Sequence, residues 1–80
     1  MILKLERMEK DEKGNFPLVM TSLYEADKIH VTNKEKIMSF HCERERKSDV
    51  VDVEMQNKDI KVKVYIENNL GKTIEHYNFT

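Results

Sequence analysis

The stretch VVDVEMQNKDIKVKVYIE, residues 50–67, decides the fold. Apolar and polar residues alternate with period two on both sides of Asn57-Lys58, the pattern of strands that bury one face. With Asn57-Lys58 as a two-residue turn, Gln56 falls opposite Asp59, Met55 opposite Ile60, Val53 opposite Val62 and Val51 opposite Val64. One face is then apolar throughout. On the other, Glu54 meets Lys61, Asp52 meets Lys63 and Val50 falls opposite Tyr65. A slip of one residue breaks both the apolar and the charge pairing, so a hairpin in this register is expected. Each opposite-charge pair contributes only about 0.2–1 kcal/mol, which selects register more than it stabilises.

The same period extends outward to Ile2–Met8, Phe16–Leu23, Ile29–Thr32, Lys36–Glu43 and Lys72–Phe79. Between the first two lies Asp11-Glu12-Lys13-Gly14-Asn15, which is turn chemistry. Pro17, the only proline, belongs at a strand start or on a sheet edge because it has no N–H to donate. Ser22-Leu23-Tyr24-Glu25 fits a capping box and offers a short helix over 22–28 as the rival of a bent strand. A β-bulge near Glu75-His76 would turn Ile74, Tyr77 and Phe79 all inward. The expected fold is all-β: one domain over residues 1–80, a small antiparallel meander of five or six strands, forming an open barrel or a twisted sheet, with the 22–28 helix as its one optional α element.

The chain has 80 residues, with Lys+Arg 14 against Asp+Glu 15 and a net charge of -1. That balance gives no bulk pull toward nucleic acid or an anionic membrane. Surface scaling gives roughly 14,000 Å² for the unfolded chain and about 5,000 Å² folded, enough for one thin core and little margin. A single cysteine, Cys42, excludes an internal disulfide framework. Charges at Lys4, Glu6, Arg7, Glu9 and Lys10 interrupt any apolar run that a secretory signal would need, and no segment approaches membrane-spanning length. A reducing, cytoplasmic setting is the expectation, with no membrane association.

The candidate chemistries fail on spacing. His41 and Cys42 are adjacent on a strand, so they point to opposite faces and cannot share one metal ion. No metal and no cofactor is expected. Ser39 and His41 share a face, but no acid is placed to orient the imidazole and no glycine-rich turn supplies an oxyanion hole. Leu70-Gly71-Lys72-Thr73 resembles the end of a phosphate-binding loop, yet Ile66 stands where that motif needs its first glycine. Asn78-Phe79-Thr80 matches a glycosylation sequon without a secretory context. The chain is not expected to be an enzyme.

What remains is binding. The expected function is that of a non-catalytic β-domain acting through protein–protein contacts, as an inhibitor or adaptor of a larger partner. Its Lys/Glu/Ile/Asn-rich composition suits a phage or mobile-element protein directed at a host factor. The run Glu43–Asp49 alternates in sign and reads as a solvated loop that presents Arg44 and Arg46, whose planar forks grip carboxylates. Val50 and Tyr65, joined by Ile74 if the β7 bulge is absent, form the expected apolar patch of a homodimer, with Tyr65 as anchor. The alternative is a nucleic-acid-linked protein of one of two kinds. Lys61, Lys63 and Tyr65 on one face would serve an oligonucleotide-binding barrel, but Asp52 and Glu54 neutralise the lysines in the expected register. Glu43, Glu45, Asp49, Asp52 and Glu54 would serve a DNA mimic.

Overall fold

The computed structural model describes residues 1–79. The chain forms seven strands: β1 (Ile2–Glu9), β2 (Leu18–Glu25), β3 (Lys28–Lys34), β4 (Ile37–Arg44), β5 (Lys47–Glu54), β6 (Ile60–Glu67) and β7 (Thr73–Phe79). All pairings are antiparallel, so the all-β, antiparallel class read from alternation holds, with one or two strands more than expected. The strands divide into two sheets. Sheet A has the order β2-β1-β6-β7, and sheet B is the meander β3-β4-β5.

The hairpin predicted across Asn57-Lys58 does not form. β5 pairs with β4, placing Val53 beside Met38, while β6 pairs with β1, placing Val62 beside Arg7. The chain changes sheets at this point. The Met55 N–H still donates to the Lys36 carbonyl in sheet B at 2.7 Å, and by Asp59 the carbonyl already accepts from the Lys10 N–H in sheet A at 2.9 Å. Asn57 makes a corner, its Oδ1 accepting from the Asp59 N–H at 3.0 Å. A two-residue hairpin needs positive φ in its central residues, and Asn57 and Lys58 have none; the non-glycine residues that do are Glu35 (φ 43) and Glu45 (φ 47). Those two glutamates sit in the tight turns on either side of β4.

The run expected to be a solvated loop over residues 43–49 is therefore mostly strand, with only Glu45 and Arg46 in the turn. Glu45 holds a left-handed backbone that costs a residue with a Cβ roughly 1–2 kcal/mol. Asparagine tolerates that region, so Glu45→Asn is expected to stabilise by about 0.5–1 kcal/mol and raise Tm by a few degrees. A thermal melt showing an unchanged or lower Tm would contradict this.

The helix offered over 22–28 is absent: β2 runs through Ser22 to Glu25, with Ser22 beside Leu5 and Glu25 beside Ile2. Ladder bonds to β1 occupy the backbone groups that a capping box would otherwise satisfy. Pro17 immediately precedes β2, an outer strand, where its missing N–H is harmless. The bulge in β7 falls at Ile74, between the pairs Ile66–Glu75 and Glu67–Thr73, earlier than expected. It turns Tyr77 and Phe79 inward but leaves Ile74 about half exposed.

The core lies between the sheets. Leu3, Val62, Val64, Ile66 and Phe79 from sheet A meet Met38, Phe40, Cys42 and Val53 from sheet B. Val53 and Val62 are thus both buried, as the alternation required, but belong to opposite sheets of the core instead of lying side by side in one. The molecule is thin, 44 × 28 × 20 Å, with a radius of gyration of 13.2 Å, against roughly 12 Å for a compact chain of this length. It exposes 5921 Å², against about 5,100 Å² from size scaling. Much apolar surface therefore stays outside.

Candidate functional site

Crossing between sheets puts Asp52 and Glu54 on the outer face of sheet B and Lys61, Lys63 and Tyr65 on the outer face of sheet A. Asp52 and Glu54 no longer face these lysines, and Glu6 takes the place opposite Lys63. Lys63 now lies between Glu6 of β1 and Asn78 of β7, and Lys61 lies beside Met8. Tyr65 lies between Lys4 and His76. Its ring stacks on His76 with centroids 4.6 Å apart and planes 8° from parallel, and the Lys4 Nζ stands 5.4 Å from its centre. The Glu6 carboxylate nearby, and desolvation second, hold the Tyr65 phenol pKa above its ordinary value. One row further along, the Lys61 Nζ sits 4.2 Å from the centre of the Phe16 ring. Lys4, Phe16 and His76 were not legible as members of this face, because only the sheet order β2-β1-β6-β7 brings the segments that carry them there.

The outer face of sheet B is mixed in sign. His30, His41 and Val50 form one row, Thr32, Ser39 and Asp52 the next, and Lys34, Ile37 and Glu54 a third. The Ser39 hydroxyl donates to Asp52 at 2.5 Å, and His30 Nε2 lies 3.5 Å from Glu43. Lys28 and Lys34 interleave with the acids, Glu45 is at the turn, and Asp49 lies beside Cys42 on the inward side. The five acids proposed as a DNA mimic therefore do not form one acidic face. Cys42 is buried; burial first, and the nearby Asp49 second, push its thiol pKa up, the signature of an inert cysteine.

The patch expected to carry a homodimer is also dispersed. Val50 is on sheet B, Tyr65 on sheet A and Ile74 at the bulge of β7, and Val50 lies beside His41 rather than Tyr65. Arg44 is paired to Glu25 of β2 at 2.6 Å, while Arg46 stands exposed in the turn.

A different apolar surface stands out. β2 is an outer strand of sheet A, and Leu18, Val19, Met20 and Leu23 are each about half exposed or more. From Gly14 through Tyr24 the chain carries no charged residue, although charged residues make up 36% of it. That gap is visible in the sequence and marks the β2 edge independently of the period-two alternation. The other outer strands all carry charge within the ladder: Lys28 and Lys34 in β3, Lys47, Asp49, Asp52 and Glu54 in β5, and Glu75 in β7. Charge is how sheet edges ordinarily repel further strands. Beneath β2 a cleft of about 260 Å³ opens between the sheets, lined by Leu5, Met20, Tyr24, Val51, Ile60 and Val62, with Arg7, Asp52 and Glu54 also on its wall.

No helix among the described residues is long and apolar enough to cross a membrane. No protein-family model, curated protein or solved structure matches this chain.

Proposed function

We propose that this chain is a non-catalytic protein-binding module that works by strand addition at the open edge of β2, with a second copy of itself as occupant. The observation that carries the reading is that β2 alone among the outer strands has an apolar ladder with no charge before its final residue. Strand addition uses the main chain for affinity and the alternating side chains for specificity.

The strand is self-complementary. A two-fold axis at Ser22, normal to the sheet, sets Met20 opposite Tyr24 of the other copy on the inner face and Thr21 opposite Leu23 on the outer face. No charged pair arises within these residues, and the irregularity between Arg7 and Met8, where Val19 has no direct partner, ends the ladder. The added strand also extends the inner face beside the cleft, whose mouth Met20 and Tyr24 already line. The thin core gives the monomer reason to bury this surface. A reducing cytoplasm, where the lone buried thiol stays inert, is the setting that fits this module.

Light scattering at tens of micromolar is expected to give the mass of two chains. Met20→Lys/Leu23→Lys is expected to give a monomer with an unchanged circular-dichroism spectrum, since both side chains are more than half exposed and lysine blocks edges. A wild-type monomer, or a double variant that still dimerises, overturns the reading.

A further inference from the structure

We infer that the outer face of sheet A is a second binding surface, separate from the β2 edge, and that it takes single-stranded nucleic acid. The face combines the two features such a ligand requires, cations for the phosphates and a flat aromatic ring for an unpaired base. Its three lysines, Lys4, Lys61 and Lys63, come from the central strands β1 and β6 and lie within three successive cross-strand rows. The carboxylate among them is Glu6, which lies directly opposite Lys63. Glu25 and Glu67 lie at one end of the face, beside Ile2. Three lysines and three carboxylates share the face, but the charge is sorted along it, with Lys61 and Lys63 at the end away from Glu25 and Glu67.

The strand order fixes where a base can stack. Tyr65 lies between Lys4 and His76, so both sides of its ring are occupied. His76 is exposed on the outer strand β7, and its far side is the open end of the pile. A base added there extends the sequence lysine, tyrosine, histidine by one more ring. Lys61 and Lys63 project from the same side of β6 roughly 6.6–6.8 Å apart, a spacing that lets them follow a strand's phosphates across the sheet. A duplex hides its base faces in the stack, and a flat sheet offers no element narrow enough to enter a groove and read base edges.

The test uses fluorescein-labelled oligothymidylate and oligouridylate of about 15 nucleotides, a length within the usual site sizes, titrated with the full chain and read by anisotropy. Both are expected to bind alike, because the contacts are to phosphate and base, and the matching duplex at least tenfold more weakly. Three neutralised phosphates predict a slope of about -2 in log affinity against log salt. Lys61→Ala/Lys63→Ala is expected to lower affinity more than tenfold and flatten the slope to about -0.7, the value for one remaining lysine. His76→Ala is expected to weaken binding roughly five- to hundredfold at unchanged slope, and His76→Phe to restore it. Met20→Ser, which alters the β2 edge on the inner face beside Arg7, is expected to bind as wild type and so separates this surface from the dimer contact. No binding at about 50 mM salt, a duplex bound as tightly as the single strand, or affinities indifferent to Lys61, Lys63 and His76 overturns the inference.

Discussion

Phe40→Ala is expected to destabilise the chain by about 3–5 kcal/mol, a large share of the roughly 4–12 kcal/mol available to a domain of this length. Phe40 is fully buried in β4, the middle strand of sheet B. Within its sheet it lies beside Val31 and Val51. Across the interface its ring meets Tyr77 of β7 edge to face, with centroids 5.6 Å apart and planes at 65°. Tyr77 is held in turn by a hydrogen bond from its hydroxyl to Glu75 and by stacking on Phe79. Truncation thus opens a cavity where the two sheets meet, and such a thin core has few neighbours able to collapse into it. Urea denaturation is the measurement, with Phe40→Leu as the variant that retains most of the volume and most of the stability. A loss below about 1.5 kcal/mol for the alanine variant would mean that the sheets are not held together through this ring.

The second large effect comes from two adjacent residues of β6. Val64 is fully buried, beside Leu5 of β1 and Tyr77 of β7, whereas Lys63 projects outward. Val64→Lys places an ammonium in the core without a partner, and the chain must either neutralise it or unfold. The expected cost at pH 7 is about 3–5 kcal/mol, the range for an uncompensated buried charge. Burial depresses the introduced lysine's pKa in the folded state below its unfolded value. The folded state then binds fewer protons than the unfolded one, so the variant regains stability as pH rises toward the unfolded lysine value near 10.4. Lys63→Val, one residue away, is expected to change stability by less than about 0.5 kcal/mol. If the two variants melted alike, the assignment of inner and outer faces along β6 would be wrong.

Much of the local structure was legible. Asp11 and Asn68 each accept two backbone N–H groups through their Oδ1 atoms, Asp11 from Lys13 and Asn15 and Asn68 from Leu70 and Lys72, in turns completed by Gly14 (φ 81) and Gly71 (φ 75). These turns follow from side-chain chemistry within five residues. The inward set on β4, β5 and β6 also follows from period-two alternation, as does the burial of Cys42 with His41 turned outward.

The candidate surfaces were only partly legible. Lys61, Lys63 and Tyr65 share a face, as spacing alone required, but their surroundings were misread. Val50, Tyr65 and Ile74 belong to one patch only in a pairing that does not form, and the β2 edge is marked in the sequence by its charge-free run.

By itself, then, the sequence determined which residues turn inward on β4, β5 and β6 and where the turns at Asp11 and Asn68 fall, because both depend on covalent geometry and near neighbours. Only the tertiary structure decided which strands are neighbours. Val51 and Val53 can meet Val62 and Val64 side by side in one sheet or face to face between two, and the alternation is the same in both. Opposite charges at Glu54 and Lys61, worth a fraction of a kilocalorie per mole, cannot outweigh the apolar area buried when two sheets close over a common core. That choice sent Asp52 and Glu54 to one side of the molecule and Lys61 and Lys63 to the other, left β2 as the uncharged edge, and brought Lys4 and His76 to either side of Tyr65.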